Sequence, residues 1–251
     1  MSVNPLDLSG RTILVTGASA GIGQDTAVLL SQLNARLILV ARNKERLERT
    51  LSMLEAGDHR VEVFDLNALD AITPWMKDLA SRCGVLHGLV HSAGVYSVIP
   101  LRILSVPQLE ETLRVNLSSA LMLAKGLRQK SCHAERSSLV LVSSVSGLCG
   151  QAGMSAYAAS KAALIGVAKA LAMELVRDGV RVNCVAPGLV QTETSTQVVA
   201  QAGGGDTMES MHPLGIGLPR DVANGIAFLL SDAARWITGT TLVIDGGCTA
   251  H

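Results

Sequence analysis

The chain has 251 residues, its 21 Lys and Arg balance 21 Asp and Glu, and 48% of it is hydrophobic. That length supports a substantial core, and the modest charge excludes a disordered chain. Neutral balance with only two Trp, two Tyr and two Phe argues against a nucleic-acid surface, which needs cationic density or stacking rings. Five Cys, odd in number and never in a Cys-x-x-Cys pair, predict free thiols in a reducing compartment. The six His show no metal spacing. The N-terminus lacks a secretory pattern, and no run of about 18 apolar residues occurs. A cytoplasmic, metal-free protein is expected.

In chain order, short aliphatic runs alternate with longer amphipathic ones. Strands are predicted at Thr12–Thr16, Arg36–Ala41, Arg60–Asp65, Gly88–His91, Ser138–Ser143, Val180–Ala186 and Thr241–Ile244. Helices are predicted between them at Ile22–Leu33, Lys44–Glu55, Leu69–Cys83, Gln108–Lys130, Met154–Arg177 and Arg220–Leu230. Apolar runs without strict alternation mark strands buried on both faces. Their alternation with helices implies right-handed crossovers. The expected fold is therefore α/β: one doubly wound domain over residues 1–251, its seven-stranded parallel sheet covered by helices on both faces. In Lys44–Glu55, Leu47, Leu51 and Leu54 form one stripe, and Asn43 stands at the N-cap position. Only Leu189–Pro219 breaks the rhythm. A weakly patterned insert after a strand's C-terminal end reads as a substrate lid, the plainer reading being an idle loop.

The segment Gly17-Ala18-Ser19-Ala20-Gly21-Ile22-Gly23 follows the first strand and opens the first helix. Gly17 permits the tight turn, Gly21 the approach of a phosphate to backbone N–H groups, and Gly23 close helix–sheet packing. A helix N-terminus attracts the pyrophosphate, so this segment is expected to bind a dinucleotide through Gly17, Ser19, Ala20, Gly21 and Ile22. The second strand ends in Ala41-Arg42-Asn43-Lys44, without the acid that bonds a ribose 2′-hydroxyl. A guanidinium at Arg42, flanked by Asn43, can hold a 2′-phosphate in two parallel bonds, so NADP(H) is expected over NAD(H). The plainer reading makes Arg42 and Lys44 the polar start of a helix. At the third strand's end, Asp65 and Leu66 are placed against an adenine, with Asn67 as a candidate N-cap.

Tyr157 and Lys161 lie four apart at the start of a long helix, so both project from one face. A phenol with pKa near 10 is a poor acid or base at neutral pH, and an adjacent ammonium is expected to lower that value. Ser144 ends the fifth strand's run and would emerge at the carboxyl end of the sheet. Singly, each of these residues reads as polar surface. Their joint placement is what carries chemistry.

These motifs resemble the short-chain dehydrogenase/reductase family over essentially the full chain, most closely in the manner of its 3-oxoacyl-acyl-carrier-protein reductases. Thr16-Gly17-x-x-x-Gly21-Ile22-Gly23, Ser144 and Tyr157-x-x-x-Lys161 are the core of the likeness. His91-Ser92-Ala93-Gly94 matches the family's Asn-Asn-Ala-Gly, and Asn116 its further Asn. Pro187-Gly188-Leu189-Val190-Gln191-Thr192 matches Pro-Gly-x-x-x-Thr, and Ile244-Asp245-Gly246-Gly247 the C-terminal strand end. The resemblance implies that Tyr157 is the general acid/base and that Ser144 polarises the substrate carbonyl. Lys161 would bind the nicotinamide ribose, and Asn116 would hold a proton-relaying water. Ser92, Ala93 and Gly94 would line the adenosine and ribose side, with Val190 and Thr192 at the carboxamide. His91, in place of Asn, reads as a structural substitute. Ala20 stands where many NADP users carry Arg or Lys, which leaves NAD use open.

The reading is an NADP(H)-dependent oxidoreductase interconverting a carbonyl and a secondary alcohol, as a 3-oxoacyl-thioester reductase does. Alternatives are the same chemistry on a sugar, polyol or sterol, or a cofactor-binding sensor without catalysis. An acyl-carrier partner, being acidic, would require a basic patch, for which Arg128, Lys130, Arg136 and Arg177 are candidates. Small and apolar residues around much of Met154–Arg177 predict a second buried face and a homotetramer. Tyr96 reads as local packing.

Overall fold

The computed structural model describes residues 4–193, 195 and 210–250. Seven strands form one parallel sheet: β1 (Thr12–Thr16), β2 (Arg36–Ala41), β3 (Arg60–Val63), β4 (Leu86–His91), β5 (His133–Val142), β6 (Val180–Pro187) and β7 (Thr241–Ile244). Their order is β3-β2-β1-β4-β5-β6-β7. This is the doubly wound sheet expected from the strand–helix rhythm. The seven strands lie where the aliphatic runs placed them, with ends shifted by a few residues.

Successive strand residues feed opposite faces, and both faces are dry. On one, Leu14, Leu89, Leu139 and Val182 pack beneath α3 (Leu69–Cys83), α5 (Ser119–Leu127) and α6 (Ser155–Leu175). On the other, Ile13, Val15, Val90, Val140 and Val185 meet α1 (Gly21–Gln32) and α7 (Pro219–Leu230). Leu14, Val15, Leu89, Val140 and Val182 are fully buried, which explains the continuous apolar runs in place of alternation. α2 (Lys44–Leu51) flanks β2 and β3. Asn43 caps it as expected, accepting from the Arg46 amide at 2.9 Å. It ends at Leu51 rather than Glu55 because i→i+3 bonds take over at Met53 and Leu54.

The one larger departure is in the predicted helix Gln108–Lys130. It is two helices, α4 (Val106–Leu113) and α5, joined by a π turn at Arg114–Ser118. Asn116 sits within that turn and is completely buried. Its Oδ1 accepts from the Val95 amide at 2.8 Å, and its Nδ2 donates to the Val95 carbonyl and to Ser160 Oγ, both at 3.0 Å. Those bonds draw the backbone out of α geometry toward the loop after β4.

The chain leaves β1 toward β2 and β3, then returns beside β1 to lay down β4 through β7. The reversal opens a crevice at the carboxyl ends of β1 and β4, where such sheets bind ligands. Of the predicted lid 189–219, residues 194 and 196–209 lie outside the described residues. The two ends of the segment meet: Gln191 and Gly217 exchange contacts through a parallel bridge at Val190 and a 2.8 Å amide-to-carbonyl bond.

Candidate active site

Two cavities of about 440 and 410 Å³ adjoin at the crevice and share Gly17, Ser19, Ala93, Gly94 and Val95. Gly17 turns the chain at φ +68°, and a Cβ there would stand 2.8 Å from the Ala93 backbone nitrogen. A Cβ on Gly23 would stand 2.3 Å from the Gly17 carbonyl oxygen. The loop after β1 is thus pressed against both the loop after β4 and its own helix. This leaves the N-terminus of α1 facing the cavities.

The smaller cavity is lined by Arg42, Asn43, Arg46, Phe64, Asp65, Leu66 and Asn67. Arg42 and Asn43 are exposed, and Asp65 Oδ1 accepts from the Asn67 amide at 3.0 Å. Asn67 does not cap α3; Ala68 holds that position. The larger cavity takes in Ser19, Ala20, Gly21, Ile22, Ser92, Ser144, Tyr157, Lys161, Val190 and Thr192. Ser92 lines this cavity with Tyr157 and does not line the smaller one.

At the closed end, Ser144 follows β5 and accepts from the Ser146 amide at 3.1 Å while bonding to Tyr157. Tyr157 and Lys161 share one face of α6, with Lys161 Nζ 5.6 Å from the Tyr157 ring centroid. Lys161 is buried, and its Nζ donates to the Val142 carbonyl at 2.8 Å. Burial pushes the Tyr157 phenol above its usual value, against the pull of the Ser144 hydrogen bond, and neighbouring Tyr96 adds to the rise. Desolvation thus outweighs the lowering expected from Lys161. Burial also holds Lys161 down to about 8. An ammonium is lost as pH rises, so NADPH affinity should be steady below that value and fall above it. A fluorescence titration across about pH 6 to 10 checks this, and Lys161→Met should flatten the profile.

Five further residues matter that residue patterns alone did not single out for the site. Tyr96 meets Tyr157 edge-on, with ring centroids 4.9 Å apart, and lines the same cavity. Its packing role is thus packing of the reactive ring itself. Arg46 joins Arg42 in the lining of the smaller cavity. His212 approaches from the far side of the 189–219 segment and accepts from the Leu189 amide at 2.9 Å. Cys149 and Cys248 add thiols to the cavity wall. Only three-dimensional closure brings these positions together; α2's first turn was the one local hint, for Arg46.

His91 is completely buried between Thr16 Oγ1 (3.1 Å) and Ser119 Oγ (3.4 Å), tying β1, β4 and α5 together. Burial and the Lys161 charge push its pKa down to about 3, so it is neutral and takes the structural place read for it. Among the described residues no cluster of His, Cys, Asp or Glu could hold a metal ion, and no helix is long and apolar enough to cross a membrane.

The crevice fits a dinucleotide. A Cβ on Gly94 would fall 3.1 Å from Asn116 Oδ1 and 3.5 Å from Lys161 Nζ, so glycine keeps the path between the two cavities open. At one end stand the guanidinium groups of Arg42 and Arg46. At the other stand a phenol, a hydroxyl and an ammonium. This is the constellation of an NAD(P)-dependent oxidoreductase.

Comparison with known proteins agrees. The family model described as enoyl-(acyl carrier protein) reductase matches residues 17–249. The chain is 33% identical over 243 residues to the 3-oxoacyl-(acyl-carrier-protein) reductase of Rickettsia conorii, covering 96% of this chain and 98% of that one. It is 34% identical over 245 residues to a cis-4-hydroxycyclohexanecarboxylate dehydrogenase of Sinomonas cyclohexanicum, with 96% and 97% covered. A Beutenbergia cavernae structure, provisionally described as an NAD(P)-dependent gluconate 5-dehydrogenase and holding NADP at low occupancy, superposes with a TM-score of 0.91. It is 31% identical, with 99% and 100% of the chains covered. The chain belongs to the short-chain dehydrogenase/reductase family.

Proposed function

We propose that the protein interconverts an uncharged carbonyl compound of acyl type and its secondary alcohol, using NADP(H), with a 3-oxoacyl thioester as the substrate class. The observation that carries this reading is the chemistry of the larger cavity. Among its described lining residues, Lys161 is the only Lys or Arg, and it is buried at the reacting end. The other basic side chain there, His212, is bonded to the Leu189 amide, while the wall offers the exposed Met211. Residues 189–219 contain no Lys or Arg at all. An acyl chain suits that lining better than a sugar acid.

Tyr157, Ser144, Lys161 and Asn116 are the proposed catalytic residues. When bound, the nicotinamide supplies or accepts the hydride. Ser144 and Tyr157 hydrogen-bond the substrate oxygen from two sides, and Tyr157 Oη delivers the proton in reduction. The raised phenol pKa keeps that proton in place until the substrate oxygen demands it. Lys161 holds the ribose hydroxyls beside Tyr157, and Asn116, fixed by Val95 and Ser160, forms the way out for the proton. Gly17, Ser19, Ala20, Gly21 and Ile22 take the pyrophosphate. Asp65, Leu66, Ala93 and Gly94 take the adenosine, Ser92 the inner ribose, and Val190 and Thr192 the carboxamide. Arg42 with Asn43 takes the 2′-phosphate.

The relatives named as carrier-protein reductases support an acyl-carrier-bound substrate. The candidate basic residues do not flank the cavity within one chain. Arg128 and Arg177 follow the C-termini of α5 and α6, at the sheet's opposite end, and Arg128 is paired with Asp178 at 3.1 Å. The exposed Ala162, Gly166, Ala170 and Met173 on α6 supply the unburied second face that supports a homotetramer. The four buried cysteines and one exposed, all free, suit the cytoplasm.

A substrate panel read by NADPH consumption tests the reading: a 3-oxoacyl thioester of a small thiol, the same acyl group on carrier protein, a neutral 3-oxo ester, and sugar acids. Turnover of both thioester and neutral ester is expected, with little on the sugar acids. Turnover confined to sugar acids or polyols would replace this reading. Silence across the panel, with cofactor bound, would favour a sensor.

A further inference from the structure

Arg46 lies in the first turn of α2, and its side chain lines the adenosine end of the crevice beside Arg42. Its guanidinium donates to the carboxylate of Glu193. Glu193 lines the other cavity, one residue beyond Thr192, in the segment that leaves β6. Among the ion pairs of the described residues, this one alone joins the two cavities. It closes over the phosphate-binding turn, where the Thr192 methyl already lies 3.1 Å from the place a Cβ of Gly21 would occupy. Both partners are partly solvated, with side chains 39% and 68% exposed, so the bond is easily exchanged.

We propose that Arg46 is an exchangeable guanidinium that reports which cofactor is bound. In the absence of a 2′-phosphate it tethers Glu193 and holds residues 188–193 against the crevice. With NADP(H), Arg46 gives up the singly charged carboxylate for the more highly charged phosphate, which a guanidinium can grip in two parallel bonds. With NAD(H), Arg46 keeps Glu193. The two dinucleotides therefore leave the wall of the substrate cavity in different states, and Glu193 acts as a competitor that sets cofactor preference. The inference rests on the NADP(H) reading above.

The test is direct binding of NADPH and NADH to the full chain by fluorescence titration, with 2′,5′-ADP and 5′-AMP as competing probes that carry no nicotinamide. Glu193→Gln should tighten NADPH and 2′,5′-ADP by roughly two- to fivefold and move NADH and 5′-AMP less. Arg46→Gln should weaken NADPH by about tenfold with NADH nearly unchanged. In Arg46→Gln/Glu193→Gln the effect of the Glu193 change should vanish, because its competitor role needs Arg46. Equal shifts for both cofactors, or simple additivity in the double variant, overturn the exchange. A wild-type chain that binds NADPH no tighter than NADH overturns the NADP(H) reading itself, a result distinct from an unselective Glu193 variant.

Discussion

Replacing Tyr157 by Phe should lower turnover by about 10²- to 10⁴-fold while leaving NADPH affinity within about twofold. The substitution removes one oxygen and keeps the ring, so the edge-on contact with Tyr96 at 4.9 Å survives. Lys161 keeps its bond to the Val142 carbonyl, since that bond does not pass through the phenol. What disappears is the protonated Oη, which burial maintains at neutral pH, and its hydrogen bond with Ser144. Steady-state rates beside a fluorescence titration separate the two effects. Turnover within about tenfold of wild type would show that the proton comes from elsewhere.

The largest change in binding is expected from Arg42→Asp. The residue is exposed at the end of β2, where its loss disturbs no packing. A carboxylate there repels a 2′-phosphate that the guanidinium would hold, and the reversal should weaken NADPH by about 100-fold. The same carboxylate can accept from a ribose 2′-hydroxyl, so NADH should bind as well as before or better. Comparable losses for both cofactors would mean that Arg42 does not face the ribose. Raised ionic strength should shrink the NADPH effect, since the site is open to solvent.

The strands were legible because burial on both faces leaves continuous aliphatic runs such as Leu37-Ile38-Leu39-Val40, with no competing pattern. The phosphate turn was legible too, since Gly17 and Gly23 each sit where any side chain would meet backbone. The join between α4 and α5 was not. Apolar periodicity continues through Val115-Asn116-Leu117, and the cause of the break is the Val95 backbone, contributed by a distant loop. Tyr96, Arg46 and His212 escaped for a related reason. Each looks like ordinary surface or packing in its own segment and meets the site only through contacts between elements far apart in the chain. The direction of the Tyr157 shift likewise depends on depth of burial, which spacing along a helix does not report.

The π turn at Arg114–Ser118 also constrains how this chain can change. A π turn absorbs one residue more than an α-helix needs and leaves the helices on either side nearly in phase. Deleting one residue there would restore a regular helix with Leu123 and Leu127 still turned to the sheet. The backbone would no longer bulge toward the loop after β4, and Asn116 would lose its reach to Val95 and Ser160. A single-residue deletion should therefore spare the fold and remove the Asn116 anchor, which thermal melting near the wild-type value beside lost turnover would show.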